Sequence, residues 1–160
     1  MPTRRIFYSF HYDNDVMRVQ LIRNIGALEG NEPVSKNDWE TVKKGGEKAI
    51  KKWIADNMDR RTCVVVLIGE ETANRPWVKY EIQKAWEDGR ALLGIYINNI
   101  KDPNTGTCGR GANPFDQFTF SKNGKTIIPP CKVPSASDAY NDIRNNMEAW
   151  IEDAIAKCNP

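Results

Sequence analysis

The sequence holds one histidine, His11, and four cysteines, and it lacks any apolar run of membrane length. A single imidazole excludes every site that needs two. It also leaves Ser–His–Asp chemistry resting on one candidate base, and no G-x-S-x-G elbow is present. Cys63, Cys108, Cys131 and Cys158 are 45, 23 and 27 residues apart, so no C-x-x-C pair exists. Zinc sites draw their ligands in close pairs, because a tight turn points two thiolates at one metal. The cysteines therefore read as free thiols, with Cys63 in a core, and no metal site is expected. Charge of one sign is also missing: 23 Lys+Arg against 21 Asp+Glu leave +2. Nucleic-acid binding by a concentrated basic face is not indicated. The longest apolar run, Cys63–Ile68, is far short of the roughly 20 residues that span a bilayer. The start, MPTRRIFYSFHYD, reaches polar residues too soon for a secretory h-region, so the chain is expected in the cytoplasm with no membrane contact.

What is present suits one domain over 1–160: 160 residues, 40% of them hydrophobic, suffice for a single core. Arg5–Phe10 reads as a first strand. Val16, Val19, Ile22 and Ile25 repeat at helical spacing and predict a helix near 15–27. Gly30–Trp39 reads as turn-rich, with at most a short second strand. Gly45-Gly46 precedes a helix near 47–58. Cys63–Ile68 and Leu92–Ile97 are continuous apolar runs suited to central parallel strands. Pro76 opens a helix that Gly89 stops. Asn98–Gly124 reads as a long polar loop, Thr126–Ile128 as a last short strand, and Ser135-x-x-Asp138 as a capping box before a final amphipathic helix. Alternating strands and helices predict an α/β fold with a central parallel sheet and helices on both faces. Ligands of such sheets bind at the carboxyl ends of the strands. Attention thus falls on Ser9–Asn14, Gly69–Trp77 and Asn98–Gly124.

Two constellations fall at that edge. Trp77-x-x-x-Glu81 stacks an indole and a carboxylate on one helix face. A carboxylate there suits charge developing on a sugar during glycosidic cleavage, though a core tryptophan beside a solvated glutamate gives the same spacing. Ser9-Phe10-His11-Tyr12-Asp13 offers a hydroxyl, two aromatic rings and an imidazole, the parts of a nucleotide site; a polar turn with one buried ring is the plainer reading. Three further features carry less. Lys43–Arg61, with seven basic and three acidic residues, reads as a solvated helix face. Gly106-x-x-Gly109-x-Gly111 lacks the Lys-Ser/Thr of a phosphate loop. Asn113-Pro114-Phe115-Asp116 closes the long loop with Phe115 as a candidate anchor. A receiver domain needs an aspartate after its third strand, where Gly69-Glu70-Glu71 stands.

The ordered set FYSFHYDND, NDWE, CVVVLIGEETANRPWVKYEI, GIYINNIKD and NPFD resembles the TIR-like proteins of bacterial Thoeris anti-phage systems, over about Arg5–Phe118. The resemblance implies a flavodoxin-like TIR fold. It implies cleavage of NAD+ as substrate, with no separate cofactor, to give a cyclic ADP-ribose isomer. That product would be a second messenger for a partner NAD-depleting effector. Self-association through TIR surfaces is implied as well. It places the catalytic carboxylate on Glu81 with Trp77 beside it. Ser9, Phe10, His11 and Tyr12 would line the nucleotide pocket. The loop before the second helix, roughly Val34–Gly46, adds Asp38 and Trp39 as substrate-binding candidates. The alternatives are a non-enzymatic TIR-like interaction module and a nucleoside-processing glycosyltransferase.

Overall fold

The computed structural model describes residues 5–11, 16–23, 36–101 and 106–159. Its centre is a four-stranded parallel sheet in the order β1 (Ile6–Ser9), β2 (Cys63–Ile68), β3 (Ala91–Tyr96) and β6 (Cys131–Lys132). Every residue of β2 and β3 is buried. Both runs lack charged residues, which suits a sheet covered on both faces. Each buried Val, Leu or Ile contributes about 1.5–3 kcal/mol.

The helices carry apolar stripes that supply this cover. α3 (Gly46–Met58) buries Ile50, Ile54 and Met58. α4 (Pro76–Glu87) buries Val78, Ile82 and Ala85, and the same stripe contains Glu81. α5 (Ala139–Cys158) buries Ile143, Met147, Ile151, Ala154 and Cys158 and packs on β2 and β3. α1 (Val16–Arg23) adds Val19 and Ile22 to the core. Arg18 on that helix donates to the carbonyls of Ile100 and Gly106, at 3.0 and 2.8 Å.

Four local expectations need correction. Part of the stretch expected to be turn or loop is a helix, α2 (Lys36–Lys43). It packs on α3, with Val42 against the core, so tertiary contact stabilises a segment with little apolar periodicity of its own. Gly46, at φ 82°, then redirects the chain into α3. The expected short second strand falls partly in residues 24–35, outside the described residues. Within Asn98–Gly124 lie a 3₁₀ turn, Pro114–Gln117, and β4 (Phe120–Lys122). β4 forms an antiparallel hairpin with β5 (Lys125–Ile127). Asn123 and Gly124 take φ 53° and 77°, the left-handed pair of a two-residue hairpin turn. The last strand of the main sheet is therefore β6, two residues bounded by prolines, and not Thr126–Ile128. Finally, Asp138 caps α5, its carboxylate accepting from the Asn141 N–H, while the Ser135 N–H donates to Asp142 instead.

Candidate active site

β1 ends at Ser9, whose side chain is fully buried. Its hydroxyl donates to Glu81 Oε1 at 2.7 Å across 72 residues of sequence. Glu81 stands on the second turn of α4 and is likewise fully buried. A carboxylate in an apolar stripe costs several kcal/mol unless hydrogen bonds offset the lost water. Folding tolerates that cost here with the Ser9 hydroxyl as one compensation. A glutamate kept inside a core-facing stripe, where Ala or Leu would be cheaper, makes Glu81 the candidate for a functional position.

The connection before α4 is closely built. The Gly69 N–H donates to Thr72 Oγ1 at 2.7 Å, closing the chain after β2, and Thr72 is fully buried. A 3₁₀ turn, Thr72–Asn74, follows. Arg75 is extended at φ −82°, ψ 124° and Pro76 takes the first helical position, where its missing N–H costs nothing. Trp77 thus lies one turn before Glu81. Its indole is half-buried against the core and packs edge-on to Tyr80, with centroids 5.6 Å apart at 84°.

Asn113–Gln117 braces this connection. The Asn113 side chain accepts from the Phe115 N–H at 2.9 Å, and Phe115 is anchored in the core. Gln117 Nε2 donates to the Ala73 carbonyl at 2.6 Å. Gly111 approaches so closely that a Cβ there would lie 2.2 Å from the Gly69 carbonyl oxygen. The sequence showed glycines and a polar loop but not what they rest on.

The candidates thus divide. Ser9 and Glu81 are joined directly, and Trp77 follows from its place on the same helix. His11 is buried two residues beyond Ser9. Phe10 is 1% exposed and packs in the hydrophobic core. Tyr12 lies outside the described residues. Asp38 and Trp39 are in α2 by backbone, and their side chains lie outside the described residues. Thr72 and Gln117 support the site and were not singled out. No local pattern marks either one: the Thr72 hydroxyl accepts from Gly69, three residues before it, and Gln117 reaches Ala73 across 44 residues.

The molecule is thus an α/β domain with a parallel sheet and, at its carboxyl edge, a buried carboxylate bonded to a hydroxyl from the first strand. The family described as "Thoeris protein ThsB, TIR-like domain" matches residues 7–102, and the chain belongs to that family. It is 36% identical over 131 residues to "Putative cyclic ADP-D-ribose synthase ThsB1" of Bacillus cereus (strain MSX-D12), covering 78% of this chain and 68% of that protein. A stretch of the Tembusu virus genome polyprotein is 28% identical over 127 residues. That stretch is 3% of the polyprotein and carries no functional argument.

Proposed function

We propose that this chain cleaves NAD+ between ribose and nicotinamide and closes the remaining ADP-ribose into a cyclic isomer. The observation that carries the reading is the buried Glu81 carboxylate oriented by Ser9, in a chain similar to a protein named for cyclic ADP-D-ribose synthesis. Nicotinamide is cationic in NAD+, so it leaves as a neutral molecule with the bonding pair and needs no general acid. The ribosyl carbon becomes oxocarbenium-like. Glu81 stabilises that charge and holds the ribose hydroxyls, which explains why one carboxylate suffices where glycosidases pair two. A low-dielectric site strengthens such fixed charge, and losing a key group of this kind costs about 100–1000-fold in rate. Trp77 and Tyr12 shield the reacting carbon from water. An adenine nitrogen or ribose hydroxyl of the same molecule then forms the new bond, and an attacking hydroxyl gives up its proton to solvent as it does so. Proximity makes that internal attack competitive with hydrolysis.

The product serves as a diffusible signal to a separate NAD-depleting effector, and no protein contact between the two is required. His11, Asp38 and Trp39 complete the substrate site, with Phe10 packed in the core beneath it, and TIR surfaces support self-association. Residues 1–160 act as one domain: β6 extends the same sheet and α5 packs on its core, although both lie beyond the 7–102 match. No helix among the described residues is long and apolar enough to cross a membrane. The test is product analysis by mass-resolved chromatography after incubation with NAD+, alone and in phage-infected lysate. Nicotinamide with a species of cyclic ADP-ribose mass is expected. Activity on free nucleosides but not NAD+ would replace this reading with a nucleoside glycosyltransferase.

A further inference from the structure

The amino-terminal edge of the sheet, opposite the Glu81 end, carries a second cleft. It encloses about 350 Å³ between the ends of α3, α4 and α5 and is lined by Arg60, Arg61, Thr62, Asp88, Arg90 and Asn159, among others. Two of its arginines have structural reasons to be there. Arg61 Nε donates to the Asn57 carbonyl at 3.0 Å and Nη1 to the Ile6 carbonyl at 3.3 Å. Arg90 Nε donates to the Met58 carbonyl at 3.0 Å and Nη1 to Asp88 Oδ2 at 2.7 Å. Cations at a helix C-terminus satisfy exposed carbonyls and its partial negative charge.

Arg60 has no such reason. It takes φ 61°, in the left-handed region where a Cβ costs roughly 1–2 kcal/mol. The position follows the end of a helix, where glycine or asparagine relieves that strain. The sequence instead places an arginine there, with its side chain 81% exposed and its guanidinium 3.9 Å from Asp59. A strained backbone under an outward-held guanidinium marks a side chain retained for what it binds.

The charge balance agrees. Around the cleft stand Arg60, Arg61, Arg90, Lys84, which is paired with Asp88, and Lys122, which is bonded to Asn159. Against these five cations stand Asp59, Asp88 and Glu152, whose charge reaches Cys63 beside Thr62. The three helix C-termini add about −1.5 charges in total, from half a charge each. The cleft stays net positive by only about half a charge after that subtraction. Arg61 and Arg90 are held through Nε and Nη1 and supply fixed positive charge, while the outward guanidinium of Arg60 offers the planar fork that matches phosphate oxygens. A concave space of this volume fits a small ligand and not an extended polymer.

We infer that this cleft is a second binding site, for a small phosphate-bearing anion of pyrophosphate to mononucleotide size, with Arg60 as its outer clamp. The inference stands apart from the reading of Glu81. It is tested by phosphorus-31 titration of inorganic pyrophosphate and of AMP into the full chain carrying Glu81→Gln, compared with the same chain also carrying Arg60→Glu or Arg60→Gly. Saturable binding that weakens about tenfold in both arginine variants is expected. Arg60→Gly also relieves the left-handed strain, so its midpoint of thermal unfolding should rise by about 2 °C while its affinity falls. A structural arginine would not show that opposition. Equal affinity for pyrophosphate and AMP assigns the site to the phosphate group, and tighter AMP binding to a nucleotide. Absent or non-saturating binding, or binding unchanged in both arginine variants, overturns the inference.

Discussion

At the scale of the residue, the decisive feature is a carboxylate inside an apolar stripe. Val78, Ile82 and Ala85 show that the Glu81 position faces the core. Removing one of its hydrogen bonds by Ser9→Ala costs about 1–3 kcal/mol. We therefore predict a lower unfolding midpoint and at least a tenfold slower release of nicotinamide in Ser9→Ala, with Ser9→Thr retaining more of both (order of magnitude from a lost hydrogen bond). Thermal denaturation and a nicotinamide assay check this. His11→Ala should slow turnover without abolishing it, because the leaving group needs no proton; complete loss in a folded variant would assign His11 a chemical step. Ser9 and Glu81 were each legible from their motifs. Their bond was not, because nothing local records a contact across 72 residues. Phe10 shows the reverse: an aromatic residue in a site-like motif belongs to the core, and composition does not separate the two uses.

At the scale of the element, the chain leading into α4 is set by what lies on it. A Cβ at Gly111 would meet the Gly69 carbonyl oxygen at 2.2 Å, a backbone atom that yields only if the connection moves. Gly111→Ala should therefore cost about 1–3 kcal/mol, in the range of overpacking, and slow turnover by displacing Trp77 and Glu81. Gly109→Ala is the control, since its Cβ would meet the flexible Glu70 carboxylate at 3.3 Å. Urea unfolding and the nicotinamide assay separate the two variants. The long apolar runs made β2 and β3 legible, and periodicity did so for α3, α4 and α5. The hairpin was missed, because its Asn123-Gly124 turn closes the stretch read as a long polar loop and its strands are three residues each. β6 was not, because two residues between prolines give no periodic signal, and α2 exists through its packing on α3.

At the scale of the molecule, one core serves a sheet whose two ends differ: Glu81 lies buried at the carboxyl edge, and the arginine cleft opens at the other. The core also holds thiols. Burial pushes the Cys63 thiol well above its ordinary value and raises Cys158, and it pushes Cys131 up to about 11. The folded chain thus keeps protons that the unfolded chain releases near the ordinary thiol value of 9.0. Their contribution to stability is full below that pH and declines as pH rises toward the folded values. The urea midpoint should fall above about pH 9, and Cys63→Val should flatten that fall. Fold class was legible because alternating segments constrain topology; the second cleft was not, because its arginines meet only after three helices end at one place. The central claim is tested most directly by nicotinamide release and product mass from NAD+, for wild type and Glu81→Gln with matched unfolding midpoints. The account predicts a cyclic ADP-ribose mass from wild type and none from Glu81→Gln. Equal product from both, or intact NAD+ with wild type even in phage-infected lysate, would contradict it.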